Sequence, residues 1–124
     1  MKDWKIVVAF DTDDTILIPS VAKKSEYEEW SPHYKNIAIF NWYKQCWCYM
    51  IVWSWTGTEW AKKWANTFNL QYDEIREKKK YEDIDISIDD CVVDLAKINI
   101  KVKRVNNNIS RKDWNNTKRW KKKK

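Results

Sequence analysis

Short apolar runs that end in acids or hydroxyls alternate along this chain with segments whose apolar residues recur every three or four positions. Trp4 to Phe10 is an apolar run that stops at Asp11, and Cys48 to Trp53 is another that stops at Ser54. Both read as buried strands. Ile84, Ile86 and Ile88 alternate with polar residues up to Asp89 and Asp90, which predicts a third strand, and Ile98, Ile100 and Val102 alternate in the manner of an edge strand. From about Asn36, the residues Ile37, Phe40 and Tyr43 recur at helical spacing. Trp60, Ala61, Trp64, Ala65 and Phe68 do the same, with Lys62 and Lys63 outside and Thr58 as the expected N-cap. Residues 19–35 hold both prolines and mixed charge, which predicts a loop or flap. Asp94 to Lys97 predict a short helix, and Asn106 to Asn108 a turn.

Strands alternating with helices predict an α/β fold, a Rossmann-like parallel sheet with helices on both faces. The 124 residues suit one domain, read here as 1–110. No stretch approaches the ~20 apolar residues that span a bilayer. The start, Met1-Lys2-Asp3, runs straight into a strand pattern and is not read as a signal peptide. The expectation is a soluble, cytoplasmic protein with no membrane partner. The net charge of +6 is uneven: residues 111–124 carry eight basic side chains and one acid, a net of +7. This tail reads first as a solvated terminus. As a second reading it is a nucleic-acid contact in which lysines grip phosphates and Trp114 and Trp120 stack on bases.

One glycine stands where average usage of about 7% gives roughly nine, and there are ten tryptophans. Positions needing φ > 0 are therefore expected to be filled by other residues at some strain, as in a redesigned sequence on a natural backbone. Cys46, Cys48 and Cys91 lack zinc or redox spacing and read as small buried apolar residues. His33 is the sole histidine.

In a parallel sheet the ligand sits beyond the carboxyl ends of the strands. After the first strand come Asp11, Asp13, Asp14 and Thr15, after the second Ser54 and Thr56, after the third Asp89 and Asp90. Carboxylates gathered at one edge repel and raise one another's pKa values, so a counter-charge is required. A hard divalent cation such as Mg²⁺ suits them, together with waters and a phosphate.

In order along the chain, the run from Ile6 to Thr15 (I-V-V-A-F-D-T-D-D-T) resembles the first motif of the haloacid dehalogenase superfamily, an apolar strand followed by DxDxT. Ile51-Val52-Trp53-Ser54 is similar to its second motif, Ile86-Ser87-Ile88-Asp89-Asp90 to its fourth, and Lys78 to Lys80 fall roughly where small capless members carry their lysine. The likeness covers residues 4–105. It implies a phosphatase with no or minimal cap, dependent on Mg²⁺ and open to large or macromolecular phosphorylated substrates. Asp11 would be the nucleophile that forms an aspartyl-phosphate and Asp13 the general acid and then base. Thr15, Ser54 and Thr56 would supply the hydroxyls around the substrate phosphate, and Lys80 (or Lys78 or Lys79) would offset its charge. Mg²⁺ would bind the Asp11 side chain, the Asp13 carbonyl and Asp89, with Asp90 in direct or outer-shell support.

Two residues depart from the pattern: Asp14 stands where the family has Gly, and Trp55 puts bulk where small residues let phosphate approach. The alternative is therefore a catalytically silent or redesigned scaffold of the same type, acting as a binding module. A response-regulator receiver places its hydroxyl and acids in a different strand order. A serine hydrolase would have only His33 as base and shows no nucleophile elbow.

Overall fold

The computed structural model describes residues 5–18 and 31–104. Trp4, most of the expected flap, the turn at Asn106 to Asn108 and the basic tail 111–124 lie outside them. The elements are β1 (Val7–Asp11), β2 (Leu17–Ile18), β3 (Ser31–Pro32), α1 (Tyr34–Gln45), β4 (Tyr49–Trp53), α2 (Thr58–Thr67), β5 (Glu74–Ile75), β6 (Ile86–Asp89) and β7 (Ile98–Lys101). Among them, no helix is long and apolar enough to cross a membrane.

Five strands form one parallel sheet in the order β5-β4-β1-β6-β7, an α/β, Rossmann-like arrangement. Val7 to Asp11 lie opposite Tyr49 to Trp53 on one side, and Val8 to Phe10 opposite Ile86 to Ile88 on the other. From β1 the chain steps outward through β4 to β5, then returns across the sheet to β6 and steps outward the other way to β7. That reversal falls between β1 and β6, the topological switch point where such sheets bind ligands.

The sheet's two faces differ from expectation. Val8, Phe10, Met50, Val52 and Ile88 pack with Phe40 of α1 and with Ala61 and Ala65 of α2 in one cluster. Val7, Ala9, Ile51 and Trp53 pack with Ile84, Leu95 and Ala96, flanked by Tyr81 and Val93. Both described helices thus share a face, and irregular segments cover the other. Right-handed crossovers dictate this: β1–α1–β4 and β4–α2–β5 step in the same direction, so their helices lie on the same side.

Three local differences have identifiable causes. Gly57, at φ 126, is the N-cap of α2, and Thr58 is the first helical residue rather than the cap. Residues 94–97 form no helix because Asn99 of β7 satisfies their backbone instead. Its Oδ1 accepts from the Leu95 and Ala96 amides, both at 3.0 Å, and its Nδ2 donates to the Ala96 carbonyl at 2.9 Å. Pro32 lies in a two-residue strand paired antiparallel with Leu17–Ile18, and α1 begins at Tyr34, inside the expected loop.

Asp14 (φ 65), Trp47 (φ 69) and Asn69 (φ 55) occupy the left-handed region, as the glycine shortage predicts. Trp47 and Asn69 follow α1 and α2 in Schellman turns: Cys48 N donates to Tyr43 O and Leu70 N to Ala65 O. Of the three cysteines only Cys48 is buried; Cys46 and Cys91 are exposed thiols.

Candidate functional site

The carboxyl ends of β1 and β6 bring Asp11 and Asp89 to the switch point, both almost fully buried. One ammonium holds them together: Lys78 Nζ donates to Asp11 Oδ1 at 2.9 Å and to Asp89 Oδ2 at 2.6 Å. The remaining oxygens are also engaged. Thr15 Oγ1 donates to Asp11 Oδ2 at 3.1 Å, and the Cys91 amide to Asp89 Oδ1 at 3.0 Å. Asp90 Oδ2 accepts from Arg104 Nε at 2.6 Å.

The loop after β1 is wound tightly enough to fix these positions. The Thr12 carbonyl accepts from the amides of Thr15, Ile16 and Leu17, and Thr12 Oγ1 donates to the Trp53 carbonyl at 2.9 Å. Asn36 of α1 donates to the Thr15 carbonyl at 2.8 Å. His33 is the N-cap of α1, its Nδ1 accepting from the Asn36 amide at 3.3 Å. That capping contact gives it a structural role, and burial lowers its pKa.

Electrostatics follow from geometry. Burial raises the Asp11 pKa well above the ordinary carboxylate value, and the neighbouring Asp89 adds to this, against the pull of Lys78. Asp89 is raised by burial as well. Burial also opposes ionisation of Asp90, but the Arg104 guanidinium, together with hydrogen bonding from Asp11 and Asp89, holds that carboxyl below its usual value. Burial disfavours the Lys78 cation, yet Asp11 and Asp89 together raise its pKa. Counted as fully ionised, three carboxylates face two cations, a formal excess of one negative charge that the raised pKa of Asp11 works to cancel by favouring its protonated form.

Lys80 does not reach the site. It pairs with Asp94 Oδ2 at 3.3 Å in the open, its side chain 67% exposed, while Lys79 lies over the Tyr81 ring. Arg76 anchors this crossover on Glu74 and Asp83, and the lysine it leaves over the strand ends is Lys78, whose side chain is 1% exposed.

Asp13 is held by other partners than the Lys78 bridge. Its carboxylate accepts from Trp60 Nε1 at 2.8 Å and Thr56 Oγ1 at 3.4 Å. Trp60, read from sequence as core, is thus half-buried with its indole N–H on a site residue. An indole at the first turn of the helix after Ser54 was the only available signal. Ser54 Oγ accepts from the Thr56 amide at 3.0 Å, which leaves its own O–H to donate.

A cleft of about 430 Å³ runs along Ser54, Trp55, Gly57, Thr58, Glu77 and Lys78. Gly57 offers no side-chain cap to α2, so the first N–H groups of that helix face an end suited to anions. For a cation, Asp89, Asp90 and Cys91 form a group among the described residues whose ligand atoms all lie within 4.8 Å of one another. The set is mainly hard oxygen with a thiol at its margin and can hold a metal ion. No family model matches this chain and no curated protein matches it, so the residues and distances above carry the functional reading.

Proposed function

We propose that this chain is a phosphohydrolase of the haloacid dehalogenase type that works through an aspartyl-phosphate on Asp11 with Mg²⁺ as cofactor. The observation that carries the reading is Lys78 bridging Asp11 and Asp89 at the switch point, with Asp90 alongside. Gathering three buried carboxylates at the carboxyl ends of a parallel sheet is costly in desolvation, and such perturbed clusters concentrate at functional sites.

The roles follow from what each residue touches. Thr15 and Lys78 orient the Asp11 carboxylate, one oxygen of which attacks phosphorus. The bond from phosphorus to the leaving oxygen breaks, its electron pair stays with that oxygen, and Asp13 supplies the proton. Water then attacks the phosphoryl group, Asp13 takes its proton, and the Asp11 carboxylate and inorganic phosphate are released. Trp60 positions Asp13 through the indole N–H. Ser54, Lys78 and the start of α2 line the cleft where phosphoryl oxygens would be held. Asp11, Asp89 and Asp90 would hold the Mg²⁺, which when bound neutralises both the carboxylates and the phosphate.

The test is hydrolysis of p-nitrophenyl phosphate with Mg²⁺ by the wild type and by Asp11→Asn. The expected outcome is turnover that Asp11→Asn abolishes. Equal rates from the two proteins overturn the reading.

A further inference from the structure

Trp55 is out of place in a bare phosphate site. Its side chain follows Ser54 directly, is 66% exposed, and receives the Lys78 ammonium at 4.9 Å from the ring centroid. The cation lies over the indole, and the residue as a whole remains largely exposed. The exposed acidic residue Glu77 is also among those that line the same cleft.

Resting on the phosphohydrolase reading, we propose that Trp55 is a stacking platform that selects phosphate monoesters of phenols. A phosphate taken by Lys78 with an ordinary charge-assisted bond puts phosphorus within about 4 Å of Nζ. A ring joined directly to the ester oxygen then lies within stacking distance of the indole. A ring set further out, beyond a sugar, falls past it. Stacking between two such rings adds to affinity beyond the area it buries. Glu77 repels a second anionic group, which disfavours bisphosphates and nucleoside polyphosphates. The ring is therefore neutral or cationic, and the open cleft accepts a phenol carried on a larger molecule.

Two measurements decide this. The first is the ratio of kcat/KM for phenyl phosphate over glycerol 2-phosphate in wild type, Trp55→Leu and Trp55→Phe. Using the ratio removes whatever Trp55→Leu does to both substrates alike. The ratio falls about tenfold in Trp55→Leu and is largely kept in Trp55→Phe, as a stacking contact requires. Turnover of both substrates with an unchanged ratio overturns the platform and leaves the phosphohydrolase reading intact. The second is calorimetric binding of phenylphosphonate and methylphosphonate, which needs no turnover. Phenylphosphonate binds the wild type more tightly, and Trp55→Leu erases the difference. Equal affinities for the wild type overturn the platform, and absence of hydrolysis overturns only the phosphohydrolase reading.

Discussion

Replacing Lys78 by Met removes one ammonium and keeps most of the side chain's volume and its stem. In the wild type that ammonium is the shared counter-ion of two carboxylates, and all three side chains are buried, at 1%, 7% and 3% exposure. Solvent screening is therefore slight. Removing one partner of such a group leaves uncompensated buried charge and costs about 3–5 kcal/mol. At roughly 4 °C per kcal/mol for a domain of this size, the melting temperature at pH 7 falls by about 12–20 °C.

The pH dependence separates this cause from a packing defect. Burial raises the folded-state pKa values of Asp11 and Asp89, so both favour folding most when protonated, and this contribution is lost as pH rises through the folded values. In the wild type Lys78 limits that rise. Without it both values climb further, so Lys78→Met regains stability between pH 7 and pH 5 while the wild type changes less. Asp90 works in the opposite sense: its pKa is lowered, so its contribution is lost only as pH falls through that lowered value, below this window. The assay is thermal unfolding by circular dichroism at both pH values, with Lys80→Met as control. That lysine's pair with Asp94 is exposed, and its loss shifts stability by less than about 1 kcal/mol. A Lys78→Met melting temperature within about 3 °C of wild type at pH 7, or a deficit equal at both pH values, refutes the bridge.

Two further substitutions probe the framework. Trp47 sits at φ 69 with its ring 79% exposed, so Trp47→Gly relieves left-handed strain worth about 1–2 kcal/mol against the extra entropy of an unfolded glycine, about 0.5–1 kcal/mol. The expected result is a urea midpoint raised by the equivalent of about 0.5–1 kcal/mol with an unchanged slope, and a lowered midpoint contradicts it. Asn99→Ala takes the common acceptor away from Leu95, Ala96 and Ser87, which costs about 1–2 kcal/mol. Hydrogen exchange at the Leu95 and Ala96 amides should accelerate about five- to thirtyfold, and unchanged exchange shows that another group holds the loop.

How much of this was readable without coordinates depended on periodicity. Two of the three central strands show as apolar runs and the third as an alternation, and their termination in acids or hydroxyls put Asp11, Ser54 and Asp89 at strand ends. β5 has two residues, Glu74 and Ile75, too few to show any alternation. Without it the direction of the second crossover was undetermined, and with it the handedness rule puts both helices on one face. Lys78, Lys79 and Lys80 are identical residues in an irregular segment, where no period says which one turns inward. Only the Arg76 anchor and the run of the crossover choose Lys78. Asn99 reads as a polar position on an edge strand, and nothing local indicates that it replaces a helix. The strained turns were foreseeable in kind, from one glycine in 124 residues, but not in place.

The site's charges also decide whether folding depends on a metal. Asp11 and Asp89 already share Lys78, and Asp90 already has Arg104 at 2.6 Å, so each carboxylate has a cation supplied by the chain itself. At most one formal negative charge remains, too little to make the fold require a divalent ion. A chelator such as EDTA should therefore leave the melting temperature within about 2 °C of its value in plain buffer, since structural zinc-type sites, which melt on chelation, have no such internal counter-ions. Added Mg²⁺ should still stabilise by mass action, by about 2.7 kcal/mol at one hundred times its dissociation constant, because the excess charge and the oxygen donors favour binding to the folded state alone. Arg104→Gln removes the cation that competes at Asp90, so Mg²⁺ should raise its melting temperature at lower concentration than it does for the wild type. Unfolding by EDTA would mean that Lys78 and Arg104 do not balance these carboxylates, and an Mg²⁺ response untouched by Arg104→Gln would mean that Asp90 takes no part in holding the ion.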